Sequence, residues 1–467
     1  MSRFRRVDRK TAYLLPPSVE DWLPQDHLAR FIVEAIEQID LSGLTRAYAG
    51  RGSAAYHPEI LLSLLVYGYA TATFSSRRIE RATYDSVAFR YLAAGSHPDH
   101  DTLASFRRRF LDELGDVFLQ VLELASEMKL LKLGTVSLDG TKLHANASRH
   151  SALSHGHIAK LETQLRAEVQ DLLAVAERAD QTDVPDGVNL PEEIKRREDR
   201  LAVMAAAKAK IEARAKVRFD QEQAAFEVKL AKRAARTAET GKKPTGKPPR
   251  PPTAVPRLED QINLTDEESR IMSRRDGIPW GMKVAGGGFE QCYNAQAAVD
   301  TQTMLVVAVA LSNAGNDKQQ VGPMLDVLAA LPASLGKARH LLADTGYCSA
   351  ANIAACVAAG IEPYIAIARE DHHPGWRARF TEPAPLATDA TPTQKMAHKL
   401  KTKRGRMLYA LRKQTVEPVF GIIKSVMGFR QFLLRGLEKA KGEWTLVCLA
   451  WNLKRMAVLR QKSVRCA

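Results

Sequence analysis

The feature that most constrains the fold of this chain is an interruption. From about residue 150 to 240 the sequence is rich in Ala, Glu, Lys and Arg, with apolar residues at helical spacing, as in IAKLETQLRAEVQDLLAVAERA. A Pro- and Lys-rich stretch, GKKPTGKPPRPPTAVP, follows it and reads as an extended tether. Short apolar runs of strand character lie on both sides. Residues 150–258 therefore read as a helical, coiled-coil-like insertion with its tether, set into a core that resumes beyond it.

Ahead of the interruption, residues 18–132 carry apolar residues three to four apart, as in PEILLSLLVYGYA and DELGDVFLQVLELASEMKL, so residues 1–132 are expected to form an all-α N-terminal domain. Within it SSRRIERATYDSVAFRYL, a turn at AGSHPDH, and TLASFRRRFLDEL outline a helix-turn-helix, with Arg107, Arg108 and Arg109 on the second helix as candidate DNA contacts. A plain helical hairpin with a solvated basic face fits the same spacing.

Residues 134–139, GTVSLD, switch to strand character and end in an acid; residues 133–149 are read as the first strand of the core. Beyond the tether, strand-like runs at 293–300, 304–312, 339–347 and 361–368 alternate with the helical stretches QQVGPMLDVLAAL and SAANIAACVAAG, and a final long helix is expected from about 408 to 427. Residues 259–460 thus form the rest of the core. The expected fold class is α/β, a mixed sheet flanked by helices.

Composition narrows the function classes. A net charge of +15 over 467 residues favours a polyanionic partner. The five cysteines form no CxxC pair and no zinc spacing, which fits reduced thiols and speaks against a cysteine metal centre. No apolar run is long enough for a membrane span, and MSRFRRVDRK lacks the apolar core of a signal peptide, so a cytoplasmic protein with no membrane partner is expected.

Asp139 and Asp344 each close an apolar run, VSLD and HLLAD, and each is followed by a small turn pair, Gly140-Thr141 and Thr345-Gly346. Side chains at strand ends project into the crevice beyond the sheet. Two acids on neighbouring strands repel unless a cation lies between them, which points to a hard metal with oxygen ligands. Glu417 would complete the site from the helix, and two ions roughly 3.5 to 4 Å apart would suit phosphodiester chemistry. On that helix Lys424 shares the face of Glu417 and Lys413 lies near it, whereas Arg412, five residues before Glu417, points well away. Lysines flanking an acid suit phosphate contacts. Pro418 suggests that the helix starts or kinks near Glu417.

These motifs resemble those of the DDE transposases of bacterial insertion sequences that carry a tyrosine, arginine, glutamate, lysine signature. YHPEILLSLLVYGYATATFSSRRIE and HPDHDTLASFRRRF resemble that group's N-terminal region, LDGTKLHANAS its first aspartate motif, LLADTGYCS its second and VEPVFGIIKSVMGFRQFLLRG its glutamate motif. The resemblance spans nearly the whole chain. It implies a ribonuclease-H-like core, Asp139, Asp344 and Glu417 as catalytic metal ligands, and two Mg²⁺ ions with Mn²⁺ as a substitute. It also implies cleavage and strand transfer at terminal inverted repeats, with double-stranded element ends and target DNA as partners and a homodimer as the active complex. Tyr409, Arg412, Lys413, Lys424 and Arg430 become candidate DNA contacts. The signature sets its tyrosine seven and its arginine four residues before the glutamate, whereas Tyr409 and Arg412 stand eight and five before Glu417. Either Lys413, in the arginine slot, supplies the phosphate contact, or a local irregularity brings Arg412 back.

Rival readings are few. SLDGT is similar to the DxDGT of aspartate-nucleophile phosphatases, but Ser137 occupies the nucleophile position and that mechanism is lost. A catalytically inactive DNA-binding descendant and a metal-dependent DNA nuclease are the remaining alternatives.

Overall fold

A computed structural model describes residues 18–48, 55–178, 189–241, 247–273, 289–368, 381–387 and 389–466. The chain divides into two compact units, one built from residues 1–145 and 292–467, the other from 146–291.

The first unit is organised on a mixed sheet with the strand order β6-β5-β1-β7-β8. Strand β5 (Phe289–Asp300) runs antiparallel to both its neighbours, β1 (Leu133–His144) and β6 (Val306–Ser312), while β7 (Gly336–Ala343) and β8 (Glu362–Ile365) run parallel to β1. Both faces of the central strands are covered, so Val136, Ser137 and Leu138 are buried in succession, as are Ala297, Ala298 and Val299. Helices α11 (Val321–Ala329) and α12 (Ala350–Ala358) follow β6 and precede β8, in the alternation expected from sequence.

Three sequence expectations need correction. Strand β1 does not end at Asp139: antiparallel pairing to β5 runs from Val136 opposite Asp300 to His144 opposite Cys292, and this keeps Gly140-Thr141 extended where an isolated segment would turn. The helix that carries Glu417, α14 (Lys403–Ser425), does not start there, because it runs through with Pro418 in its interior; it follows a short helix α13 (Pro392–Lys401). Nor is it the last helix. A 30-residue helix, α15 (Leu437–Cys466), ends the described chain. Its Trp444 Nε1 donates to the Gln296 carbonyl at 3.0 Å, and the Asn452 amide accepts from the Val306 N–H and donates to the Val306 carbonyl, both at 2.8 Å. Asn452 thus pairs with the edge of β6 as a neighbouring strand would.

α15 also packs on the N-terminal helices α4 (Pro58–Ala70) and α8 (Glu113–Glu127). α4 is apolar all round, with Leu61, Leu62, Leu64, Leu65, Val66 and Tyr69 buried, as befits a helix enclosed by others. The first half of the expected helix-turn-helix is two short helices, Ser76–Asp85 and Val87–Leu92, split at Ser86, whose backbone is extended. The second is α7 (His100–Arg109), capped where Asp99 Oδ1 accepts from the Thr102 N–H at 2.7 Å.

The second unit is an antiparallel helix pair, α9 (His155–Arg178) and the 51-residue α10 (Leu190–Thr240), with a short strand pair, β2 (Ala152–Ser154) on β3 (Gln261–Asn263), and β4 (Arg270–Ser273). Glu168 with Arg197 and Glu162 with Lys208 fix the opposite sense of the helices. Met204, Ala207, Ile211 and Ala215 form a stripe of α10 at three-to-four spacing, and the first three pack with Leu153, Ile158 and Ile262. Asn189 caps α10 and Gly241 ends it at φ 65°, where glycine is favoured.

Candidate active site

Parallel pairing between β1 and β7 aligns Ser137 with Leu342. Two residues further on, Asp139 and Asp344 are neighbours, Asp344 just past the end of β7 and Asp139 midway along β1. Asp139 Oδ1 accepts from the Gly140 N–H at 2.8 Å, and Asp344 caps the following turn through Gly346 N–H, also at 2.8 Å. Burial and the charge of Asp344 push the Asp139 carboxyl up to about 7, with Arg412 opposing; burial likewise raises Asp344, against the Gly346 hydrogen bond.

Helix α14 supplies the third acid. Val416, Val419, Phe420 and Ile423 bury one face, with the helix against β1 and β7, leaving Glu417 half exposed at the rim. Arg412, whose side chain is only 11% exposed, does not point away as its spacing predicts: Nη1 donates to Asp139 Oδ2 at 3.0 Å and Nη2 to Glu417 Oε1 at 2.8 Å. Two long side chains close the angle that five residues of helix open between them. Asp139, Glu417 and Asp344 all raise the Arg412 pKa against its burial. One guanidinium therefore lies in the field of all three acids. Among the described residues no three His, Cys, Asp or Glu side chains form a ready metal shell. The donor set still fits a hard divalent ion: every donor is a carboxylate oxygen, and the repulsion between Asp139 and Asp344 is what a cation relieves.

A fourth acid, overlooked in the sequence, stands beside them. Asp317, in the loop after β6, accepts at Oδ1 from Asn294 Nδ2 and Gln296 Nε2, each at 2.7 Å. The buried Tyr347 hydroxyl donates to Gln296 Oε1, and burial together with Asp317, Asp139 and Asp344 holds that phenol well above its ordinary range. Two buried polar residues that alternate with Tyr293, Ala295 and Ala297 along β5, Asn294 and Gln296, are the sequence signal that points here.

The basic candidates fall in different settings. Lys413 and Arg430 are exposed, Tyr409 and Lys424 half-buried, and Arg430 Nε donates to the Lys424 carbonyl at 3.0 Å. Arg107 does not belong to a solvated face: it is buried, donating to the Tyr69 hydroxyl at 3.0 Å and the Phe74 carbonyl at 3.2 Å. Arg108 is exposed, and Arg109 lies over the rings of Tyr48 and Phe110 at 5.3 and 5.1 Å.

Family models match two stretches of the chain. The transposase DDE domain model matches residues 261–453, and the transposase domain (DUF772) model matches residues 17–109. The chain belongs to the DDE transposases of insertion-sequence type. The DDE domain implies a ribonuclease-H-like fold, with which the mixed sheet agrees, and the family generally uses divalent metals. No curated protein and no solved structure matches the chain. Among the described residues no helix is long and apolar enough to cross a membrane.

Proposed function

We propose that the chain is a transposase that cleaves DNA at the terminal inverted repeats of an insertion sequence and joins the freed ends to target DNA, with Asp139, Asp344 and Glu417 as its catalytic carboxylates. The observation that carries the reading is the convergence of these acids, from β1, the end of β7 and α14, around the single Arg412 guanidinium. In this reading they hold two Mg²⁺ ions, for which Mn²⁺ substitutes. Bound there, the ions would stabilise charge on the attacking and leaving oxygens. Cleavage joins a water oxygen to phosphorus and frees a 3′-hydroxyl; transfer joins that 3′-oxygen to a target phosphorus, releases the target's own 3′-oxygen and conserves the number of phosphodiesters.

The chain's own residues supply the rest. Asp139 and Asp344 are fixed by backbone hydrogen bonds at Gly140 and Gly346. Arg412 offsets part of the acids' charge until DNA and metal arrive. Lys413, Lys424 and Arg430 on and after α14, with Arg108 and Arg109, supply phosphate contacts to the double-stranded ends. Two ends must be paired for transposition, so the active complex is a homodimer. A protein acting on DNA from no membrane fits a cytoplasmic, nucleoid-associated location. The domain assignment is a helical DNA-binding region over 1–132, a core over 133–149 and 259–460, and an insertion over 150–258.

The test is a plasmid carrying the DNA that flanks this gene, incubated with the protein and Mg²⁺ or Mn²⁺. Metal-dependent cuts at the repeat ends support the reading. Cuts without end preference indicate a nuclease, and end binding with no cutting an inactive descendant.

A further inference from the structure

Each catalytic aspartate motif carries a glycine, and both glycines face Asp317. A Cβ on Gly140 would lie 2.5 Å from Asp317 Oδ1 and 2.2 Å from Gln296 Nε2; one on Gly346 would lie 3.5 Å from Asp317 Oδ2 and 3.0 Å from Asp344 Oδ1. Neither glycine has a positive φ. At Gly140 the room that a side chain would need is taken by the Asp317 carboxylate and its amide partners, while at Gly346 the close neighbour is Asp344 itself and Asp317 lies in ordinary van der Waals contact. Asp317 is thereby wedged between the strand that carries Asp139 and the turn that carries Asp344.

We infer that Asp317 is a positioning residue of the active centre. Its Oδ1 takes both amide donors, Asn294 and Gln296, which orients the Gln296 carboxamide with its nitrogen toward Asp317 and its oxygen toward Tyr347. Tyr347 closes the short turn Thr345–Tyr347 that Asp344 caps. The relay Asp317, Gln296, Tyr347 thus ties the Asp344 turn to β5, whose Ala297 is the register partner of Asp139. With the relay intact, the buried Tyr347 hydroxyl is spent on Gln296 and is not offered to either catalytic acid. Outer partners of this kind set the geometry of metal-ligating carboxylates, and their loss typically costs 10–100-fold in metal affinity.

This inference rests on the reading of Asp139 and Asp344 as metal ligands, and its test has a readout other than DNA cleavage. Mn²⁺ alone is titrated calorimetrically into the full chain and into Asp317→Ala, Asp317→Asn and Tyr347→Phe. Asp317→Ala is expected to bind Mn²⁺ about 10- to 100-fold more weakly than wild type. Asp317→Asn, whose carboxamide oxygen still accepts from Asn294 and Gln296, is expected to recover most of that loss. Should Asp317→Ala fail to fold, Tyr347→Phe, which removes one hydroxyl from the relay, is expected to weaken binding in the same direction. Wild-type affinity in a folded Asp317→Ala, or a lowered melting temperature with unchanged affinity, overturns the positioning role while leaving the transposase reading intact. Absence of Mn²⁺ binding by the wild-type chain overturns both.

Discussion

Arg412 donates from Nη1 to Asp139 Oδ2 at 3.0 Å, across 273 residues of sequence, so an acid whose charge is disfavoured by burial and by Asp344 already holds a counter-charge. With the other terminal nitrogen of the guanidinium on Glu417, the protein itself offsets part of the acids' charge in the resting site.

Removing that counter-charge leaves a largely buried carboxylate unpaired. Arg412→Met is expected to destabilise the metal-free protein by about 3 kcal/mol. Arg412→Lys, a point charge unable to span two acids, should recover only part of this. Denaturant unfolding at pH 8 with chelator present measures it; an Arg412→Met protein as stable as wild type contradicts the pairing.

Asp139→Asn should be more stable than wild type at high pH. The folded-state pKa of Asp139 is raised from 3.8 to about 7, so its ionisation costs stability. The cost is absent below about pH 4, grows between pH 4 and 7, and is complete above 7. The asparagine variant, free of it, is expected to gain on the order of 2 kcal/mol at pH 8 and almost nothing at pH 4. Equal differences at both pH values would show that Asp139 is not perturbed in this way.

A second buried acid joins the ends of the chain. Glu443 on α15 accepts from the Tyr69 hydroxyl of α4 at 2.6 Å and from the Leu433 and Leu434 N–H groups at 2.9 and 3.0 Å, and Arg107 donates to the same Tyr69. Glu443→Gln sets an amide N–H against one of these donors and is expected to cost about 2–4 kcal/mol. An unchanged unfolding midpoint would remove the network from the stability account.

Lys424 follows Glu417 by seven residues on the same helix. Lys424→Ala should weaken binding to the repeat ends about equally across sequences and lower the salt slope by about one. An unchanged slope assigns the lysine a structural role.

Sequence reading reached what local pattern encodes. Apolar runs located the strands of the core, and the acid-small pair after each of two runs placed Asp139 and Asp344 side by side. What depends on tertiary pairing stayed hidden. β5 holds Gly140-Thr141 extended, although that pair alone reads as a turn. Arg107 reads as part of a basic triplet, yet Tyr69 and the Phe74 carbonyl draw it inside. Helical spacing directs Arg412 away from Glu417, and only the position of β1 under α14 shows why it bends back to both acids. Asp317 lies in a polar loop of ordinary composition, and its meaning rests on two glycines and two amides that other segments bring to it.

The most direct test compares wild type with Asp344→Asn on the plasmid bearing the flanking DNA, following end binding and end cleavage separately in Mg²⁺. Loss of cleavage with end binding retained is the expected result, and Asp139→Asn and Glu417→Gln should behave alike. Cleavage by Asp344→Asn at the wild-type rate would contradict the assignment of these carboxylates as the catalytic centre.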